Sequence, residues 1–157
     1  MAAGSGTCGA EKVRDIVIFD LDGTLADIAH RQHFVQGKKK QWRAFFAACI
    51  ADQPHRAVVT ILQALHPAFQ IYIVSGRSDE VRTETEEWLK LNKVPYHQLI
   101  MRAEHDHTAD NVLKIRWVNE GRIPKDRILC VFDDRDKVVK LWRENGIPCF
   151  QVAEGNF

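Results

Sequence analysis

Hydrophobic residues divide this sequence into short apolar runs separated by longer amphipathic segments. The five runs cover residues 13–19, 71–74, 98–101, 128–132 and 149–152. The first, second and fourth runs are continuous rather than alternating, which is typical of parallel strands that are buried on both faces. The pattern therefore predicts one mainly parallel sheet of five strands.

The segments between the runs have the residue spacing of amphipathic helices. The predicted helices cover residues 41–51, 55–66, 79–91, 111–120 and 136–145. Ser78 and Asp110 are expected N-caps, and Asn145-Gly146 is a C-terminal signal. This alternation of strands and helices predicts an α/β fold, a Rossmann-like three-layer sandwich with right-handed crossovers.

Length and composition narrow the class of protein without naming a function. The 157 residues are enough for one domain with a real core. The fractions of hydrophobic residues (45%) and charged residues (27%) are ordinary for a globular chain. The formal net charge of +1 argues neither for nor against nucleic acid. No apolar run approaches the roughly 18–20 residues of a membrane span, so no membrane partner is expected.

The four cysteines, Cys8, Cys49, Cys130 and Cys149, show no C-x-x-C spacing, so no zinc site is expected. Cys130 and Cys149 lie in apolar runs and are expected core residues. Such cysteine usage, and the lack of a signal-peptide core in MAAGSGTCGAEK, predict a reduced, cytoplasmic setting. Residues 1–12 are expected to be a flexible tail and residues 13–157 one domain.

Two carboxylates end the first apolar run, in the stretch IVIFDLDGTLAD. Residues two apart in an extended chain point to the same side, so Asp20 and Asp22 should lie close together. Neighbouring carboxylates oppose each other's ionisation, and a cation is therefore expected beside them. Gly23 allows a sharp turn, and the hydroxyl of Thr24 can hold that turn in place.

Active sites of open α/β sheets form beyond the carboxyl ends of the strands. The reactive residues at or near the predicted ends are Asp20, Asp22, Ser75, Lys114, Asp133 and Asp134. The four carboxylates fit a hard cation, and Mg²⁺ suits them because it combines a few carboxylates with substrate oxygens. A lysine and a hydroxyl can hold the oxygens of an anion, which is most simply a phosphate.

Asp20 is the expected nucleophile of this site. Its attack on phosphorus would give an aspartyl-phosphate, which splits one difficult step into two. The metal and Lys114 would screen the negative charge of the two reactants. Asp22 is placed to protonate the leaving alkoxide and then to activate water against the intermediate.

FDLDGTLAD resembles the D-x-D-G-T signature of the haloacid dehalogenase superfamily of phosphotransferases. Ser75 in IVSGR matches the second motif of that superfamily, Lys114 the third, and Asp133-Asp134 the fourth. The resemblance implies the roles just described. It also implies a metal held by the carboxylate of Asp20, the backbone carbonyl of Asp22 and one of the two adjacent aspartates.

A more specific resemblance lies at the end of the chain. FDDRDKVVKLWRENGIPCFQVAEGNF resembles the C-terminal end of the phosphatase domain of phage-type polynucleotide kinase/phosphatase. Arg31 and Arg77 fall where that family has important arginines, and Thr108 stands where it has another arginine. The resemblance implies Mg²⁺-dependent removal of 3′-phosphates from DNA or RNA ends, with substrate contacts from Thr24, Arg31, Gly76 and Arg77. No kinase half is present in this sequence, which leaves room for a separate kinase or ligase partner; oligomeric state is left open.

The sequence has little room for a lid. Only residues 28–52 could form a small helical flap, so a minimal cap or none is expected. An open cleft would admit the 3′ end of a nucleic acid. A phosphatase of small molecules or nucleotides is the alternative within the superfamily, and a non-catalytic module that binds nucleic-acid ends is the alternative of another class.

Several residues carry two interpretations. The run Lys38-Lys39-Lys40 with Arg43 is either a solvated turn or a contact to phosphate backbone. His105 and His107 are expected surface residues rather than metal ligands. The four tryptophans are expected to pack in the core, with base stacking as the alternative; they are Trp42, Trp88, Trp117 and Trp142.

Overall fold

The computed structural model describes residues 12–157, so nearly all of the predicted tail lies outside the described residues. A five-stranded parallel sheet forms the centre of the fold. Its strands are β1 (Ile16–Phe19), β4 (Gln70–Ser78), β5 (Gln98–Arg102), β6 (Ile128–Asp133) and β7 (Cys149–Gln151). They lie in the order β5-β4-β1-β6-β7. All five strands overlap the predicted apolar runs, and β4 extends four residues beyond the end of its run.

The middle strand shows why the sheet has two buried faces. Alternate residues of a strand point to opposite faces, and every residue of β1 is buried. Val17 and Phe19 pack into one hydrophobic cluster, whereas Ile16 and Ile18 pack into the other. A strand without polar residues is therefore stable only between two helical layers.

Four helices supply those layers. Helices α2 (Arg56–Leu65) and α3 (Arg82–Leu91) contribute to the cluster on one face. Helices α4 (Asp110–Asn119) and α5 (Asp136–Glu144) contribute to the cluster on the other face. The predicted α/β three-layer sandwich with a parallel five-stranded sheet is confirmed.

A second, two-stranded sheet separates a helical segment from the main fold. Strands β2 (Ala26–Asp27) and β3 (Gln53–Pro54) pair antiparallel. Residues 28–52 lie between them and are called the flap here. The flap holds a 3-10 helix at Ala29–Val35, helix α1 at Trp42–Ala47 and a second 3-10 helix at Ala48–Ala51.

Most local predictions agree with the structure. Ser78 accepts a hydrogen bond from the amide of Glu80 at 3.3 Å, as expected of an N-cap. Gly146, with a φ of +74°, follows the end of α5. Cys130 and Cys149 are buried with free thiols. None of the helices within residues 12–157 is long and apolar enough to cross a membrane.

Two predictions were wrong. Asp110 does not cap α4: it is the first residue of the helix, and the N-cap is Ala109, which makes no side-chain cap. The Asp110 side chain instead lies 3.5 Å from the buried ammonium of Lys114, one helical turn further along α4. Trp42 is not a core residue, because 49% of it is exposed, while the other three tryptophans are buried.

Candidate active site

The turn after β1 places the first carboxylate. The amide of Asp20 donates to the carbonyl of Phe132 at 2.9 Å, which extends the β1–β6 pairing into the turn. Gly23 follows with a φ of +83°, and a Cβ built there would lie 2.2 Å from an Asp134 carboxylate oxygen. The turn thus requires glycine both for its backbone angle and for the approach of Asp134. Thr24 Oγ1 lies 3.2 Å from a carboxylate oxygen of Asp20 and of Asp134.

Three buried aspartates form a compact cluster. One carboxylate oxygen from each of Asp20, Asp133 and Asp134 lies within 4.8 Å of the others. Burial, together with the charge of Asp133, raises the pKa of Asp20 well above its ordinary value. The same two causes raise the pKa of Asp134 to about 6. Such a set of oxygen donors fits a hard divalent cation, which would neutralise the charge that burial otherwise penalises.

Lys114 completes this cluster with a positive charge. Its Nζ lies 2.8 Å from Asp20, 3.0 Å from Asp133 and 3.5 Å from Asp110, and the side chain is only 1% exposed. Burial opposes the charge of Lys114, but the surrounding carboxylates outweigh burial and raise its pKa well above the ordinary value. The ammonium is therefore a permanent positive charge beside the Asp20 carboxylate.

Asp22 belongs to a different set of contacts. Its Oδ1 accepts a hydrogen bond from Arg31 Nη2 at 2.6 Å and another from Arg77. Burial opposes the ionised form of Asp22, but the two guanidinium groups outweigh burial and lower its pKa. Its carboxylate faces the arginines and is not part of the aspartate cluster.

Arg31 and Arg77 are both buried, and their side chains have no solvent exposure. Besides Asp22, both contact Asp52: Arg31 donates from Nε at 2.8 Å and from Nη2 at 2.7 Å, and Arg77 lies at 3.4 Å. The two positive charges of the arginines are thus balanced by the two negative charges of Asp22 and Asp52. The structure places these arginines as direct partners of Asp22.

The second predicted motif lies inside β4 rather than after it. Ser75 is buried, and its Oγ accepts a hydrogen bond from the amide of Arg77 at 3.1 Å. A Cβ built on Gly76 would lie 1.9 Å from Asp110 Oδ1. Gly76 is therefore the residue that lets Asp110 approach the site.

The family of this chain follows from comparison with known proteins. Residues 14–157 match the model of the family described as the polynucleotide kinase PNKP phosphatase domain, of the haloacid dehalogenase type. The chain belongs to this family. It is thus a phosphatase domain, as the four motifs implied.

Individual relatives agree with this assignment. A candidate bifunctional polynucleotide kinase/RNA ligase of Autographa californica nuclear polyhedrosis virus is 30% identical in an alignment of 142 positions, which covers 88% of this chain and 19% of the viral protein. A chain of the Pnkp1/Rnl/Hen1 RNA repair complex is 30% identical with a TM-score of 0.79, over 91% of this chain and 44% of that one. This phosphatase domain therefore spans less than half the length of either relative.

A more distant structure shows the fold alone. A haloacid dehalogenase-like hydrolase from Streptococcus pneumoniae is 14% identical, with a TM-score of 0.57 over 87% of this chain and 83% of that one. The shared fold supports the three-layer architecture.

Residues 151–155 of the phosphatase domain hold the backbone next to the acidic cluster in place. Gln151 Nε2 donates to the carbonyl of Asp134 at 3.0 Å, and the amide of Asp136 donates to the carbonyl of Gly155 at 2.7 Å. A Cβ on Gly155 would lie 2.1 Å from the Asp134 carbonyl. The Q-V-A-E-G segment thus fixes the backbone that carries Asp134.

Three residues of the site were missed by sequence reasoning. Asp110 carries a detectable signal, because it lies four residues before Lys114 on one face of α4. Asp52 carries no such signal, since its partners are 21 and 25 residues away. Arg102 comes from the end of β5 and donates to the carbonyls of Gly76 and Thr108. It thus brings a guanidinium beside Thr108, the position that lacks the expected arginine.

Proposed function

We propose that this phosphatase domain removes 3′-phosphates from the ends of DNA or RNA in a Mg²⁺-dependent reaction. The observation that carries the chemistry is the Asp20 carboxylate, which lies between a buried ammonium at 2.8 Å and two further buried aspartates. A nucleophile that must approach a negatively charged phosphate needs positive charge on that side, and this arrangement supplies it.

The aspartate cluster is the part of the site that would hold the metal. Asp20 with Asp133 or Asp134 supplies carboxylate oxygens, and the backbone carbonyl of Asp22 is the further ligand that we assign. When bound, Mg²⁺ supplies positive charge that lowers the repulsion between the carboxylate nucleophile and the phosphate.

In the first step, an oxygen of Asp20 attacks phosphorus and the bond from phosphorus to the 3′-oxygen breaks. Asp22 donates a proton to the leaving 3′-oxygen, which departs as a hydroxyl. Lys114 stays protonated and balances the charge of Asp20 and of the transferred phosphoryl group. Ser75, Gly76 and Thr24 lie at the edge where the phosphoryl oxygens would be held.

In the second step, water attacks the aspartyl-phosphate, Asp22 takes the proton of that water, and Asp20 is regenerated as inorganic phosphate leaves. The ionised form of Asp22 is the form needed here. Arg31 and Arg77 favour that form, so they support the second step as positioning residues. The first step requires Asp22 to be protonated before the leaving group departs.

The nucleic-acid substrate rests on the family and on the neighbours. The matching family is the phosphatase domain of a polynucleotide kinase, and the viral relative is named for kinase and RNA ligase activities. The solved neighbour belongs to an RNA repair complex. These similarities support action at nucleic-acid ends beside a kinase or a ligase.

One assay tests the proposal. A 3′-phosphorylated oligonucleotide, a nucleoside 3′-monophosphate and an aryl phosphate are offered with and without Mg²⁺. We expect Mg²⁺-dependent phosphate release, fastest from the oligonucleotide. Equal or faster turnover of the mononucleotide would indicate a small-molecule phosphatase. A chain that binds the oligonucleotide without releasing phosphate would be an end-binding module.

The matched control is Asp20→Asn, which keeps the shape of the nucleophile and removes its reactivity. Phosphate release by this variant at the wild-type rate would exclude Asp20 as the nucleophile. Circular dichroism checks that the variant is folded.

A further inference from the structure

The flap carries an unusual distribution of charge. Residues 28–52 contain five Lys or Arg and one acidic residue, Asp52, while the rest of the chain has 17 Lys or Arg against 20 Asp or Glu. One of the five, Arg31, is buried and neutralised by Asp22 and Asp52. The positive charge that remains is on four exposed residues: Lys38, Lys39, Lys40 and Arg43. The flap is thus a local basic surface on an otherwise acidic chain.

An aromatic side chain lies within this basic surface. Trp42 is 49% exposed, and the ammonium of Lys40 lies 5.5 Å from the centre of its ring. On its inner side the ring packs against Phe45 and Phe46, at centroid distances of 5.8 Å and 6.0 Å. The two phenylalanines therefore hold the indole in position on one side, and about half of Trp42 remains accessible to solvent.

The flap is attached directly to the active site. The guanidinium of Arg31 donates to Asp22 and to the carbonyl of Phe45, and it lies 4.2 Å from the centre of the Phe45 ring. On the outside, Arg43 pairs with Glu80 at 3.2 Å, two residues after the end of β4. Arg43 thus connects the flap to the segment that follows β4, the strand that carries Ser75 and Arg77.

We infer that the flap binds the single strand that leads to the 3′-phosphate, and this inference rests on the proposed function. The strand would stack a base on Trp42 and place its phosphates against Lys38, Lys39, Lys40 and Arg43. An exposed aromatic ring within a basic surface is the combination that binds single strands without reading their sequence. The substrate class is thus an oligonucleotide rather than a mononucleotide.

A series of 3′-phosphorylated oligonucleotides tests the inference. The chains run from the nucleoside 3′-monophosphate to about eight nucleotides, within the usual site size of about 4–16. For the wild type we expect kcat/KM to rise with length and then level off. The logarithm of kcat/KM should also fall linearly with the logarithm of the salt concentration, with a slope of about −0.7 per phosphate contact.

Two variants separate the flap from the catalytic centre. Trp42→Ala removes the stacking surface, and the triple change of Lys38, Lys39 and Lys40 to Gln removes three positive charges. We expect each change to lower kcat/KM for the oligonucleotide, relative to kcat/KM for the aryl phosphate, about tenfold. The triple change should also flatten the salt dependence of kcat/KM for the oligonucleotide. The matched control changes Lys90, Lys93 and Lys125 to Gln, since these exposed lysines lie at the opposite edge of the sheet. The control should keep the wild-type ratio.

The outcomes are distinguishable. A wild type that ignores chain length would overturn the proposed function itself. A length-dependent wild type whose ratio survives both flap variants would keep the proposed function and overturn the flap as the strand-binding surface. Equal loss on oligonucleotide and aryl phosphate would assign the flap a purely structural role, and a change of oligomeric state in light scattering would assign it to an interface between chains. Either result overturns the inference.

Discussion

Lys114 and Asp20 form a buried ion pair with 2.8 Å between Nζ and Oδ1, although 94 residues separate them in the sequence. The pair joins α4 to the end of β1 and gives the expected nucleophile its positive neighbour. Asp133 shares the same ammonium at 3.0 Å. The stability of this edge of the sheet therefore depends on one lysine.

Replacing Lys114 with Met should destabilise the protein strongly. Asp20 and Asp133 would remain buried without their counter-charge, and breaking a buried pair in this way costs about 3–5 kcal/mol. Urea denaturation of the metal-free protein measures the change in the free energy of unfolding. Mg²⁺ should restore part of the loss, because it can take over the role of the ammonium.

The matched control for this change is Lys140→Met. Lys140 is 75% exposed and lies 3.7 Å from Glu144, so its replacement should change stability by less than about 0.5 kcal/mol. Equal effects of the two substitutions would show that the ammonium of Lys114 does not hold the acidic cluster together.

Gly76→Ala should disturb Asp110 rather than the strand. The new Cβ would lie 1.9 Å from Asp110 Oδ1, and crowding of this kind typically costs about 1–3 kcal/mol. Asp110→Ala removes the obstructing carboxylate. The double variant should therefore lose less stability than the sum of the losses in the two single variants, by at least about 0.5 kcal/mol. Strictly additive losses in thermal unfolding would locate the crowding elsewhere.

Asp134 should make the metal-free protein less stable as pH rises. Burial and the charge of Asp133 raise its pKa to about 6 in the folded state, above the ordinary 3.8. The folded state then binds more protons than the unfolded state between these values. The contribution of Asp134 to the free energy of unfolding is fully present below pH about 4. Roughly 2–3 kcal/mol of it is lost as pH rises through about 6.

The comparison of wild type with Asp134→Asn isolates this contribution from other titrating groups. Asn cannot ionise, so the variant should lose less stability than wild type over the same pH interval. Saturating Mg²⁺ should remove the loss of stability that the wild type shows as pH rises, because the cation stabilises the ionised cluster. A ligand at 100 times its Kd adds about 2.7 kcal/mol to the free energy of unfolding. Parallel curves for both proteins without metal would contradict the raised pKa.

Asp52→Asn should destabilise the flap and its connection to the site. The variant leaves Arg31 and Arg77 buried with only Asp22 to balance them, and we expect a loss of about 3–5 kcal/mol. Denaturant unfolding measures the loss, and Glu86→Gln is the control. Glu86 pairs with Arg82 at the surface at 3.0 Å, so the control should cost less than about 1 kcal/mol. A cost for Asp52→Asn as small as that of the control would show that Asp22 alone balances both arginines.

The sequence by itself determined the strands, most helices and the residues of the acidic cluster. Apolar runs and helical spacing reflect interactions between near neighbours and burial on a known face, so they can be read without coordinates. Parallel strands also end at one edge, which is why Asp20, Lys114 and Asp133 could be expected together before their distances were known.

Only the tertiary structure decided how the charges of the site are divided. Lys114 lies with Asp20 and Asp133, while Asp22 is held by Arg31 and Arg77. Likewise, Trp42 has the spacing of a core residue but is half exposed, because the short flap offers no second layer to cover it. Ion pairs between distant segments depend on how the chain packs and which charges burial leaves unbalanced, and no local pattern records that.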